Sequence, residues 1–144
     1  MCPMVQESTP RQRIAAAVSR MGEEVLVDRC LSILAGGEVD AELIEVLGGN
    51  SAGPVLAGRS DGPHGYWVRT WALRALLYAW SACAEPAVVA ATVDAHWRVR
   101  EMAAKVLAAR ATPLHGAEEA LERLRRDDHP RVRAAAQRAL DRPA

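Results

Sequence analysis

Three histidines, His64, His96 and His129, recur three or four residues ahead of a Val-Arg pair, the kind of repetition from which a metal site could be built. Corresponding points on neighbouring helices lie about 8–10 Å apart, however, whereas a zinc ion needs each ligand nitrogen within about 2.1 Å. The histidines therefore read as polar turn residues, and neither a metal nor another cofactor is expected. The glycine-rich stretch GGNSAGPVLAGR at 48–59 lacks the lysine and the Ser/Thr of a phosphate-cradling loop, and no strand leads into it. There is no GxSxG or HExxH, and no pair of acids on an apolar background. A non-enzymatic protein is the expectation.

Two sets of basic residues remain. Arg69, Arg100 and Arg133 each follow the valine of the recurring pair, at the edge of a packed face. A second row takes the positions one before and six after each valine: Trp67 and Arg74, Arg98 and Lys105, Arg131 and Arg138. Residues seven apart share one face of a helix, here about 100–120° from the buried stripe. Five cations and a tryptophan on one face suit an acidic ligand, because guanidinium pairs bidentately with carboxylate and phosphate. The acidic residues Glu38, Asp40, Glu42, Glu45 and Glu101 oppose a uniformly positive surface.

The elements that carry these residues follow from a repeat. YWVRTWALRAL at 66–76, WRVREMAAKVL at 97–107 and PRVRAAAQRAL at 130–140 align on their valines, with offsets of 31 and 33 residues. Counting from each valine, positions 0, 3, 4, 7 and 8 are apolar in all three, the signature of an amphipathic helix with one buried stripe. Shorter helices are expected at 86–93 and 116–126, ahead of the second and third of these, with Pro86, Pro113 and Pro130 as punctuation. Upstream, Thr9-Pro10-Arg11-Gln12 has capping-box spacing and starts a helix to about Arg20. Further helices are expected at 23–35, 40–47 and 51–57.

Composition agrees. The chain has 144 residues, half of them hydrophobic, with 18 basic and 18 acidic side chains. That is one domain's worth of core, neither a disordered tail nor a globally basic nucleic-acid binder. Abundant alanine and the absence of Phe favour closely packed helices. No apolar run reaches the roughly 18 residues of a membrane span, and the amino terminus lacks the basic and apolar stretches of a secretory signal. Three cysteines, Cys2, Cys30 and Cys83, without a CxxC, suit free thiols in a reducing, cytoplasmic setting.

The hairpins at 86–142 resemble HEAT-like repeats of the short type also found in phycobilisome-lyase-like proteins, and 51–82 follows the same plan. The resemblance implies a right-handed α-solenoid; residues 1–8 are expected to be a flexible amino terminus, 9–48 amino-terminal helices and 51–142 three repeats of a single domain. It also implies that an Asp ending each turn pairs with the Arg of the second helix. Asp94 with Arg100 and Asp127 with Arg133 have the six-residue spacing, while Asp61 stands eight before Arg69.

Second helices line the concave side of such solenoids, so the expected function is a protein-interaction module that holds an acidic peptide or protein through Trp67, Arg74, Arg98, Lys105, Arg131 and Arg138. The alternative is nucleic-acid binding, since WVRTWAL at 67–73 is also similar to a segment of the HEAT-like DNA alkylation-repair glycosylases. The chain lacks their Asp one turn after either tryptophan, so no catalytic role is carried over. Lastly, 66–80 is apolar nearly all round, with Trp71 on the core stripe and Trp67, Leu73, Leu77, Tyr78 and Trp80 outside or beside it. That helix must be covered by the amino-terminal helices, by a partner or by a second copy of the chain.

Overall fold

The Thr9 hydroxyl accepts the Gln12 backbone N–H and the Gln12 side chain takes the Thr9 N–H, so two donors that helix geometry leaves open are satisfied where the first helix begins. This helix, α1 (Pro10–Met21), opens the computed structural model, which describes residues 8–59, 62–110 and 116–142. Gly22, at φ 90°, turns the chain into α2 (Glu23–Leu34); its N–H closes α1 on the Val18 carbonyl and its own carbonyl receives Leu26. Such a φ is open to glycine at little cost. Asp40 caps α3 (Ala41–Gly48), which is followed by a 3₁₀ turn (Gly49–Ser51) and the short α4 (Ala52–Leu56).

The Val-Arg segments form α5 (Tyr66–Ala75), α7 (Trp97–Arg110) and α9 (Pro130–Leu140), and α6 (Glu85–Ala91) and α8 (Ala117–Leu124) precede the latter two. Among the described residues there is no strand, and no helix is long and apolar enough to cross a membrane. Asp61, Pro113 and Cys2 lie outside the described residues. Helix α5 stops well short of residue 80: Leu76, Leu77 and Tyr78 donate back three residues instead of four, which tightens the last turn. The Leu76 and Leu77 carbonyls are taken by Arg110 of α7, so a neighbouring helix satisfies acceptors at the end of α5.

All fifteen stripe positions are inside or at the margin. Val68, Val99 and Val132 are fully buried, as are Ala72, Ala103 and Ala136, while Met102, Ala139 and Leu140 are half-buried at the edge. Helix α7 packs on both α5 and α9, so these three form one layer, with α6 and α8 outside it. Helices α2 and α3 cover α5, α1 lies on both, and α4 packs on α3. The apolar circumference of α5 is thereby covered in large part within the chain. Leu73 is fully buried and Trp67, Leu77, Tyr78 and Trp80 are half-buried against the core.

Candidate functional site

The register between repeats comes from an arginine used twice. Arg100 turns Nη1 onto the carbonyls of Asp94 and Ala95 in its own turn, at 2.9 and 3.1 Å. With that edge occupied, Nε and Nη2 face the next hairpin and fork onto Asp127, at 2.8 and 3.1 Å. Arg69 does the same, with Nη1 on the His64 carbonyl and the fork on Asp94 at 2.8 and 3.1 Å. The expected pairing of Asp94 with Arg100 and Asp127 with Arg133 within one repeat is corrected by these contacts: each carboxylate belongs to the arginine of the preceding repeat. Arg133 keeps the first half of the pattern, donating to the carbonyls of Asp127 and Asp128. Burial alone would raise the Asp127 carboxyl, but the Arg100 hydrogen bonds, the His129 backbone N–H and their charges outweigh it and hold the group below its usual range.

The histidines serve the same turns. Nδ1 of His96 accepts the Arg98 N–H, and Nδ1 of His129 accepts the Arg131 N–H, so both rings sit at helix starts as caps. Each ring stacks on an aromatic of the preceding repeat: His96 on Tyr66 with centroids 3.6 Å apart, and His129 on Trp97 at 3.8 Å. Among the described residues no group of three His, Cys, Asp or Glu side chains is placed to hold a metal.

The six candidate contact residues do not form a uniform row. Arg98 lies between two indoles, its Cζ 4.8 Å from the Trp67 ring centre and 4.6 Å from that of Trp97. Stacking occupies the faces of a guanidinium and leaves its N–H edge open. No carboxylate meets that edge among the described residues. Arg131 also lies over the Trp97 ring, at 5.3 Å, and pairs with Glu101 at 3.0 Å. Lys105 stands 3.9 Å from the same carboxylate. Glu101 is only 7% exposed, so it neutralises the middle of the row from beneath. Arg138 is exposed and lines a cleft of about 390 Å³ with Lys105 and Arg142.

Arg74 lies at the other end, where its Nη2 donates to the Leu47 carbonyl at 2.6 Å. Arg13, from α1, reaches the same carbonyl and that of Val46. Between them they cap α3. Two neighbouring clefts open beside this pair, one of about 330 Å³ and one of about 510 Å³, and Ser51, Trp71 and Arg74 line both. Gly48 permits the arrangement, since a Cβ there would lie 2.6 Å from the Trp71 ring.

A family model for HEAT repeats matches residues 66–141, the span in which these inter-repeat contacts occur. The chain belongs to the HEAT-repeat family. Neither curated proteins nor solved structures gave a match. In this HEAT protein sequence reasoning missed Trp97, which joins Arg98, Arg131 and His129, and it missed the arginines that cap helices of another repeat. The signal for Trp97 was present: Tyr66 and Trp97 occupy equivalent positions, and a histidine stands one place before the corresponding position of the following repeat.

Proposed function

We propose that the chain is a non-enzymatic HEAT module that holds an acidic peptide or protein segment on the face built by α5, α7 and α9. The contact residues are Trp67, Arg74, Arg98, Lys105, Arg131 and Arg138. The observation that carries this reading is Arg98, stacked between Trp67 and Trp97 with its donor edge unmet by any carboxylate of the described chain. A pre-positioned guanidinium loses little conformational freedom on binding a carboxylate, and Arg is over-represented at such contacts for that reason. HEAT repeats generally mediate protein–protein interaction, which favours a protein partner. The reading includes a single-domain array in which 51–142 supplies three repeats, right-handed, with the second helices on its concave side, in a cytoplasmic setting. The close packing of α7 on α5 and α9 supports the placement of that side.

The test is selection from a random peptide library by immobilised protein, wild type against Arg98→Glu. Enrichment of Asp- and Glu-rich sequences by the wild type, lost in the variant while helicity is retained, supports the assignment. Indifference to the substitution overturns it. Titration with duplex DNA at rising salt addresses the alternative: tight binding with a log–log slope near −0.9 per neutralised phosphate would replace the peptide reading with a nucleic-acid one.

A further inference from the structure

The carboxyl end of α3 is over-neutralised. A helix terminus of this kind presents about half a negative charge through its free carbonyls, and here two guanidiniums, Arg13 and Arg74, converge on it. Neither has an acidic partner among the described residues, and no Asp or Glu lines the adjoining clefts. The first turn of α1, entered through Ser8, Thr9 and Pro10, borders the same space with its positive end. Among the described residues the recess thus holds two guanidiniums and no carboxylate, Arg13 turning its remaining nitrogen, Nη1, to the Ser8 carbonyl. Burial, and then the like charge of Arg13, push the Arg74 guanidinium down from its usual range against a smaller opposing effect of Tyr78.

The recess is not purely polar. Beyond Arg74 it continues along Trp71 and Trp67, with Pro54 and Val55 on the far wall and Asn50 and Ser51 at the rim. The two indoles are tilted by 31° with centroids 6.4 Å apart, a surface on which a flat ring can lie. At about 330 and 510 Å³ the neighbouring clefts are in the size range of small-molecule sites.

We propose that the cleft between α1, α4 and α5 binds a phosphate monoester that adjoins a flat aromatic ring, the phosphate between Arg13 and Arg74 and the ring against Trp71 and Trp67. A phosphate monoester carries close to two negative charges at neutral pH and three terminal oxygens. It can therefore take donors from two separate guanidiniums and the Ser51 hydroxyl together, which a carboxylate with two oxygens does less well. The site shares Trp67 and Arg74 with the peptide face proposed above but needs no macromolecular partner.

The test is calorimetric titration of the full chain with phenyl phosphate, inorganic phosphate and phenol. Phenyl phosphate is expected to bind roughly two- to tenfold more tightly than inorganic phosphate, because an aromatic contact of this kind contributes about 0.5–1.5 kcal/mol, and phenol is expected not to bind. Arg13→Gln and Arg74→Gln should abolish binding. As both also uncap α3, Ser51→Glu provides a variant that leaves the caps in place: it puts a carboxylate at the rim of both clefts and should abolish binding with the fold intact. Equal affinity for phenyl and inorganic phosphate, or full affinity in folded Ser51→Glu, overturns the proposal. O-phosphotyrosine amide and adenosine 5′-monophosphate then separate a phosphorylated side chain from a free nucleotide as the source, the tighter ligand identifying it. Arg138→Glu should weaken acidic-peptide capture and leave phenyl phosphate binding unchanged, so that failure of one reading is not mistaken for failure of the other.

Discussion

Arg100 and Asp127, 27 residues apart, are joined by two parallel hydrogen bonds at 2.8 and 3.1 Å, and the carboxylate is further fixed by the backbone N–H of His129. The pair is partly buried, with side-chain exposures of 17% and 10%, so solvent screens it less than a surface ion pair. Removing one partner strands the other with its desolvation uncompensated. Asp127→Ala is expected to cost about 1–3 kcal/mol of unfolding free energy, measured by urea denaturation. A double-mutant cycle decides which arginine is responsible: coupling of at least about 0.5 kcal/mol between Arg100→Ala and Asp127→Ala, and none between Arg133→Ala and Asp127→Ala. The reverse result would restore pairing within a repeat.

The same contact makes stability depend on pH. The folded-state pKa of Asp127 lies below its ordinary value of 3.8. A group depressed on folding contributes stability that is fully present above the unfolded value and is lost as pH falls through the folded one. The stability difference between wild type and Asp127→Asn should therefore be full near neutrality and shrink below pH 3.8. An unchanged difference in acid would show that the carboxylate is not held by charge.

The two described cysteines should react very differently. Cys30 is buried in α2, and that burial pushes its thiol up to about 12, whereas Cys83 is exposed. Thiolate is the reactive form, so at mildly alkaline pH a Cys2→Ser variant should show one rapidly alkylated thiol, with the second appearing only on unfolding. Rapid modification of Cys30 in the native state would mean that the α2 face opens readily.

Gly48 and Gly53 make a controlled pair. Both are helical, and on propensity alone Gly→Ala in a helix interior gains up to about 1 kcal/mol. At Gly53 a Cβ meets nothing within 4 Å, so Gly53→Ala should be neutral to stabilising. At Gly48 it would lie 2.6 Å from Trp71 Cζ3, and the indole is a buried core ring, 6% exposed. Gly48→Ala should thus destabilise by about 1–3 kcal/mol through overpacking, with a shift in tryptophan fluorescence. Gain at both positions would place Trp71 elsewhere.

The buried stripes and most helix positions were legible because they depend on local periodicity: Val68, Val99 and Val132 are core whichever way the hairpins stack. What depends on stacking was not. The spacing of Asp94 and Arg100 fits a pair within one repeat, and only the Nη1 bonds of Arg100 to its own turn reveal that the fork points outward. The last carbonyls of α5 are likewise capped by Arg110, and those of α3 by Arg13, each some 33 or 34 residues from the carbonyls it serves. In the sequence these residues register only as an excess of arginine. For the contact face, residue type and spacing put Trp67, Arg98 and Arg131 on one side, but which cations are already neutralised is a property of packing.

Glu101 allows the last of these points to be tested. Its carboxylate is nearly enclosed, holding Arg131 at 3.0 Å and standing 3.9 Å from Lys105, so two of the proposed contact cations are partly neutralised from below. Glu101→Gln keeps the shape and removes the charge. Released cations would then be available to an acidic ligand, and affinity for a peptide selected on the wild type should rise by roughly two- to fivefold, what a gain of ~0.4–1 kcal/mol amounts to. The substitution should also lower stability, since Arg131 loses its charged acceptor. Affinity measured under conditions where both proteins are fully folded separates the two effects. Weaker or unchanged peptide binding would mean that Arg131 and Lys105 are held by Glu101 for structure alone, leaving Arg74, Arg98 and Arg138 as the cations of the face.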